Sequence, residues 1–82
     1  MLTILYFAKL REALALSSQQ IEFVAGESLV DLVHRLVALG DERWQQLLDE
    51  EVVYAVNQQI VDRSRKPCDG DEIAFFPPVT GG

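Results

Sequence analysis

Residues 2–8 are apolar at nearly every position, and the run includes β-branched and aromatic side chains. Successive side chains of a strand point to opposite faces, so this run would place apolar groups on both faces. That pattern is typical of a central strand that is covered at least partly on both sides. Residues 21–24 alternate between apolar and polar and predict a second strand, antiparallel to the first. A loop with one helical turn at residues 12–16 is expected to connect the two strands.

The clearest helical pattern lies between Ser28 and Gly40. Ser28 suits the N-cap, because its hydroxyl can accept a hydrogen bond from a free backbone N–H of the first turn. Gly40 suits a left-handed residue that ends the helix. Asp41 is predicted to cap a shorter second helix, which carries Trp44 and Leu47. The apolar positions of the main helix share one face because they are three or four residues apart: Leu29, Leu32, Val33 and Leu36.

The second half of the chain predicts three short strands, at residues 52–56, 59–61 and 73–76. A tight turn at Asn57 and Gln58 joins the first two of these strands. The last strand ends at Pro77 and Pro78, since neither proline can donate a hydrogen bond to a neighbouring strand. The order of elements is strand, strand, helix and then further strands. It predicts an α+β fold in which a mixed sheet packs on one main helix.

Composition limits the class of protein. The chain has 82 residues, of which 49% are hydrophobic, and a net charge of −6. This length allows one domain, and the apolar fraction is too high for a disordered chain. The negative charge disfavours nucleic-acid binding, for which a basic surface is expected. A single Cys and a single His allow neither an internal disulfide nor a Cys/His zinc site, and we expect no bound metal.

The N-terminal sequence also limits the expected location. No basic residues precede the first apolar run, as they would in a signal peptide. The run stops at Lys9, well short of the roughly 20 residues needed to span a bilayer. We therefore expect a cytoplasmic protein without a membrane partner, and an unpaired Cys68 agrees with a reducing compartment.

The side chains with catalytic potential have no partners nearby in the sequence. His34 lies inside the predicted main helix and is expected at a boundary or on the surface, because a catalytic base needs a partner within reach. Cys68 is expected to be a small buried hydrophobe. Clustered carboxylates at predicted turns form a solvated or partner-facing surface whose field favours basic partners. Arg63, Arg65 and Lys66 form a basic patch in a predicted loop, and the sequence leaves its role open.

The C-terminal segment is the most unusual part of the chain. Residues 1–76 are expected to form the folded domain, and residues 77–82 an extended, flexible tail that can reach roughly 20 Å. Pro77 and Pro78 favour an extended path, while Gly81 and Gly82 have no side chains to obstruct entry into a narrow tunnel. The terminal carboxylate is ionised at neutral pH and can attack an activated phosphate. The tail is therefore a candidate handle for other enzymes; the alternative is a frayed, inert terminus.

Three segments of this sequence resemble one family. Residues 69–82 are similar to the C-terminal signature of the small, sulfur-carrier subunits of molybdopterin synthase. Residues 7–8 with 11–12, and residues 55–58, resemble the two other motifs of that family in the same order. The resemblance covers the whole chain and implies the ubiquitin-like β-grasp fold.

The resemblance also implies a chemistry for the terminal residue, Gly82. An E1-like adenylyltransferase would use ATP to adenylate the Gly82 carboxylate, and sulfur from a persulfide donor would then convert it to a thiocarboxylate. The tail would donate this sulfur to precursor Z, which is cyclic pyranopterin monophosphate, to form the dithiolene of molybdopterin. The chain itself would bind no cofactor. Catalytic residues would belong to the large subunit of a heterotetramer, so this chain would be a non-catalytic subunit.

The same resemblance implies which residues meet a partner. Gly82 would bear the sulfur, and residues from Pro77 to Gly81 would thread into the large subunit. Phe7, Phe75 and Arg11 match positions in or near the partner interface, and paired aromatic side chains are good interface anchors. The tail residues between the glycines and the domain are Pro77, Pro78, Val79 and Thr80.

Two alternatives remain: a sulfur carrier of another pathway, of the thiamine or ubiquitin-related modifier type, or a β-grasp interaction module with an inert tail.

Overall fold

The fold is organised around one five-stranded mixed sheet. The structure is a computed structural model, and it describes residues 1–77. The spatial order of the strands is β2-β1-β5-β3-β4, with β1 and β5 parallel and the other neighbours antiparallel. β1 is therefore an interior strand, as predicted, but within residues 1–77 helices cover only one of its two faces. The strands are β1 (Leu2–Tyr6), β2 (Ser18–Ile21), β3 (Val53–Val56), β4 (Gln59–Val61) and β5 (Glu72–Phe76).

Three helical segments cover one face of this sheet: α1 (Ala8–Leu14), α2 (Leu29–Leu39) and a 3₁₀ helix (Glu42–Leu48). Ser28 caps α2 as predicted, since its Oγ accepts from the backbone N–H of Asp31 at 3.3 Å. Asp41 caps the 3₁₀ helix, accepting from the backbone N–H of Arg43 at 2.9 Å. The packing of these helices on one face of a single sheet confirms the two-layer α+β arrangement.

The basic loop after β4 also supports α2. The backbone carbonyls of Arg65 and Arg63 accept from the first two N–H groups of α2, at 2.9 Å from Leu29 and 3.0 Å from Val30. The first N–H groups of a helix have no partner within the helix, so these bonds satisfy donors that would otherwise be unpaired. The Arg63 guanidinium lies 5.5 Å from the centre of the Tyr54 ring. The loop therefore has a structural role that its charge did not indicate.

Two predicted elements lie elsewhere in the chain. The helix expected at residues 12–16 begins at Ala8, immediately after β1, and Ala8 has a left-handed φ of 52°. The second strand is residues 18–21 instead of 21–24. α1 ends at Leu14, and its C-cap residue Ala15 has a φ of 54°. The chain reverses there, so that the backbone N–H of Tyr6 donates to the carbonyl of Ser17 at 3.0 Å.

Gly40 is not the left-handed residue that was predicted. Its φ is −99°, an extended conformation that other residues also adopt. The position needs glycine for another reason, because a Cβ there would approach Cδ1 of Trp44 to 2.2 Å. Glycine therefore allows the indole ring to pack over the end of α2.

The core lies between the helices and the face of the sheet that they cover. It includes the inward side chains of the three central strands and the apolar face of α2. Tyr6 lies near its centre, where it stacks on Phe75 with a centroid distance of 5.8 Å and meets the edge of Trp44 at 5.5 Å. The largest fully buried side chains are Tyr6, Phe75, Leu2, Ile4, Leu29, Leu32, Leu47, Ile73 and Val33.

Candidate functional site

The face of the sheet opposite the helices carries an apolar hollow of about 740 Å³. No described helix covers this face, and its side chains come from alternate positions of β1, β3 and β5. Ile60 of the short strand β4 is 78% exposed at this surface. Exposed apolar patches are common at interaction sites, so this hollow is the candidate functional site. The main lining residues, called the open face below, are Leu5, Phe7, Val53, Ile60, Phe76 and Pro77.

An aromatic pair forms one end of the open face. Phe7 and Phe76 stack almost in parallel, with ring centroids 4.7 Å apart and an interplanar angle of 7°. The pair forms because β1 and β5 are parallel neighbours, and Phe7 N–H donates to the carbonyl of Phe75 at 3.2 Å. Pro77 follows directly and also borders the hollow. The chain therefore leaves β5 at the aromatic end of the open face.

Phe75 does not lie where the resemblance of motifs had placed it. The prediction that Phe75 is an interface residue is wrong, because its side chain is fully buried beneath the helices between Tyr6 and Tyr54. Adjacent residues of a strand face opposite sides, so the next residue, Phe76, takes the open position. Strand alternation requires that one of the two phenylalanines faces outward, and the burial of Phe75 shows that this residue is Phe76.

The other predicted partner residues are Phe7, Arg11 and the tail. Phe7 is 37% exposed and lies on the open face. Arg11 is exposed on α1, one helical turn after Phe7. Pro77 is described and half-buried, whereas the predicted roles of Pro78, Val79, Thr80, Gly81 and Gly82 fall outside the described residues.

The remaining candidate side chains are separate from the open face. His34 is exposed on α2, as predicted. Cys68 is also exposed, so the prediction that it is a buried hydrophobe is wrong. Pro67 takes the buried position instead, and the backbone of Cys68 is engaged in a turn with Asp71.

The chemistry of the open face is that of a contact surface. Glu72 is the one ionisable side chain among the described residues that line it. Within residues 1–77, no group of three or more His, Cys, Asp and Glu side chains is placed to hold a metal ion. None of the helices in that part of the chain combines the length and apolar character that crossing a membrane requires. The open face is thus suited to docking, with the start of the tail at its edge.

The fold and this site together define a class, the ubiquitin-like β-grasp domains. The small archaeal modifier protein 1 of Haloferax volcanii has a similar structure, with a TM-score of 0.77 and 20% identity over 95% of this chain and 97% of that chain. A chain from the complex of subunits 1 and 2 of the molybdopterin-converting factor of Helicobacter pylori gives a TM-score of 0.64 and 21% identity, over 99% of this chain and 97% of that chain. At these identities the likeness shows the fold.

Sequence similarity identifies the family within this class. The chain belongs to the ThiS family, whose sequence model matches residues 4–82. It is 36% identical, over 83 residues and the full length of both chains, to the molybdopterin synthase sulfur carrier subunit of Escherichia coli strain K12.

Proposed function

We propose that this chain is a sulfur carrier and the small subunit of a molybdopterin synthase. The observation that carries the proposal is the apolar open face, because it ends where the chain leaves β5 toward its terminal glycines. Full-length similarity to a molybdopterin synthase sulfur carrier subunit supports the same function over carriers of other pathways. The E. coli relative gives no comparable support for an interaction module with an inert tail.

The reactive group of the proposed carrier is the main-chain carboxylate of Gly82. A carboxylate oxygen attacks the α-phosphate of ATP on an E1-like activating enzyme, and pyrophosphate leaves. The terminal sulfur of a persulfide donor then attacks the adenylate carbonyl and AMP leaves, which gives an acyl persulfide. A thiol cleaves the S–S bond of this acyl persulfide and forms a disulfide with the donor, so that Gly82 is released as a thiocarboxylate. The carrier donates this sulfur to cyclic pyranopterin monophosphate. Gly81 has no side chain to hinder the reacting carbon.

The large subunit of the synthase is the proposed occupant of the open face. The Helicobacter pylori structure is a complex between subunits 1 and 2 of a molybdopterin-converting factor, which supports such a pairing. Phe7 and Phe76 would anchor the contact, while residues 77–82 enter the active site of the large subunit. The proposed assembly is a cytoplasmic heterotetramer, with Arg11 at the edge of the contact and the catalytic bases on the large subunit.

Mass spectrometry of the intact chain tests the carrier chemistry. The chain is incubated with the activating enzyme, ATP and a sulfur source, and its mass is expected to rise by the difference between sulfur and oxygen. A variant without Gly82 is the matched control and should not support molybdopterin formation. Synthesis at the normal rate by the truncated chain would contradict the proposed carrier mechanism.

Two equally exposed apolar side chains test the docking surface. Ile60 lies on the open face and Leu39 lies at the end of α2, and each is 78% exposed. Ile60→Ser is expected to weaken binding of the large subunit about tenfold, as measured by calorimetry, because it places a hydroxyl in an apolar contact. Leu39→Ser should leave affinity unchanged. Equal effects of the two substitutions would show that the open face is not the interface.

A further inference from the structure

The register of β5 decides which of its side chains reach the core and which reach the open face. Its side chains alternate between the core, with Ile73 and Phe75, and the open face, with Ala74 and Phe76. Glu72 also borders the open face, so a shift of one residue would turn this carboxylate toward the core and exchange Phe75 with Phe76. Register is strongly specified wherever one face of a strand is buried. Hydrogen bonds at the first residue of β5 add to this selection of which phenylalanine is buried and where Pro77 leaves the sheet.

Asn57 forms hydrogen bonds with both the carbonyl and the N–H of Glu72, the first residue of β5. The backbone N–H of Asn57 donates to the carbonyl of Glu72 at 2.8 Å. The backbone N–H of Glu72 donates in turn to Oδ1 of Asn57 at 3.0 Å. Asn57 begins the left-handed turn between β3 and β4 with a φ of 49°, a conformation that asparagine tolerates better than most residues. Both polar groups of this side chain are therefore directed at the start of β5.

Asp71 binds the side chain of Asn57 and the backbone of two neighbouring segments. Its Oδ1 accepts from Nδ2 of Asn57 at 2.9 Å, and its Oδ2 accepts from the backbone N–H of Cys68 at 2.8 Å. The Asp71 carbonyl accepts from the backbone N–H of Thr3 at 3.1 Å. The hydrogen bond from Cys68, followed by that from Asn57, holds the pKa of Asp71 below its ordinary value. The ionised carboxylate thus joins the β3–β4 turn to the starts of β5 and β1.

We propose that Asn57, held by Asp71, is a positioning residue for sulfur transfer, because it fixes the register of β5 and hence the point where the tail leaves the domain. This inference rests on the proposed carrier function. A slip of one residue would move Pro77 by about 3.3 Å along the sheet and bring Phe75 to the open face. Misplacement by about 1 Å can slow a positioned reaction about a hundredfold.

Exchanging the side chains of Asn57 and Asp71 tests whether the hydrogen bond between them positions β5. Asn57→Asp places two carboxylates against each other, and Asp71→Asn leaves one donor without an acceptor. In the double variant, Asp at 57 still accepts from Glu72 N–H and from the amide of Asn at 71, whose oxygen accepts from Cys68. Sulfur transfer from the preformed thiocarboxylate in the synthase complex is expected to slow about tenfold in Asn57→Asp and to recover in the double variant. The control, Asp62→Asn, removes a carboxylate whose Oδ1 accepts from Ser64 N–H at 2.8 Å, away from β5.

Amide hydrogen exchange at Glu72 and the nuclear Overhauser contact between Phe7 and Phe76 report the register directly. Faster exchange at Glu72 together with slower transfer in Asn57→Asp, and recovery of both in the double variant, would support the inference. Faster exchange with unchanged transfer would overturn it. If Asn57→Asp does not fold, Asn57→Gly, which keeps the left-handed turn, is judged by the same outcomes. A wild-type chain that gains no sulfur would contradict the carrier function itself, whatever the variants do.

Discussion

Phe75 and Phe76 are adjacent in sequence and have opposite environments. Phe75 is fully buried, where it stacks on Tyr6 and meets Tyr54 edge to face at 5.3 Å. Phe76 is half-buried and contacts Phe7 on the open face. Truncating each side chain therefore separates stability from binding.

Phe75→Ala is expected to lower the free energy of unfolding by about 3–5 kcal/mol, since it removes a buried ring and leaves a cavity. Phe76→Ala loses only the stack, about 0.5–1.5 kcal/mol, and is expected to weaken binding of the large subunit about tenfold or more. Urea denaturation measures the first quantity and calorimetry the second. If Phe76→Ala bound the large subunit normally, the aromatic pair would not be part of the interface.

The candidate site was predictable from sequence only in part. Phe7 was identified because the motif that contains it is a local signal, and the role of the terminal glycines stays a prediction. The outward position of Phe76 could not be derived, since residues 73–76 are all apolar and their pattern does not show which side chains are buried. Ile60 was missed for a related reason, because a strand of three residues is too short to show an alternating pattern.

Elements with a local start signal were predicted well. The Ser28 cap of α2, the Asp41 cap of the 3₁₀ helix and the turn at Asn57 and Gln58 are all present. α1 was misplaced because its signals are weak. It buries only Leu10 and Leu14, and Phe7 at its N-cap makes no side-chain hydrogen bond. Such a short helix is held by tertiary packing, which sequence periodicity does not report.

The junction between α2 and the 3₁₀ helix depends on Gly40. Alanine has a smaller loss of backbone entropy on folding, and the φ of −99° allows it, so Gly40→Ala would normally be mildly stabilising. Here the added Cβ would lie 2.2 Å from the indole of Trp44, which also packs against Tyr6 in a T-shaped pair. We expect a loss of about 1–3 kcal/mol in the free energy of unfolding, measured by urea denaturation. In a Trp44→Leu background the same substitution should cost less, and an equal loss there would rule out the clash as its cause.

In the domain as a whole, the buried core and the apolar open face lie on opposite faces of one sheet. The covered face contains the core that keeps the domain folded, and the open face contains the apolar contact surface and the exit of the tail. A docked partner would therefore touch few of the side chains that stabilise the fold. Substitutions on the open face should change binding with little effect on the unfolding transition, and substitutions under the helices should do the reverse.

Tyr6 makes the stability of the whole domain sensitive to alkaline pH. Burial raises the pKa of Tyr6 to about 12, although the hydrogen bond from Gln19 acts in the opposite direction. Tyrosine in the unfolded chain titrates near pH 10, so the folded state resists deprotonation of this hydroxyl. A raised pKa of this kind gives stability that is complete below about pH 10 and is lost as the pH rises toward 12. Burial also raises the pKa of Tyr54, which adds to the trend.

The free energy of unfolding is therefore expected to fall by about 2 kcal/mol between about pH 9 and pH 12. Tyr6→Phe should be about 1 kcal/mol less stable at neutral pH, because Gln19 loses its acceptor, but its stability should depend much less on alkaline pH. Urea denaturation across this range measures both slopes. Lys9→Gln is the control, since it removes an exposed ionisable side chain that lies outside the core. Equal slopes for the wild type and Tyr6→Phe would mean that Tyr6 ionises as readily in the folded domain as in the unfolded chain.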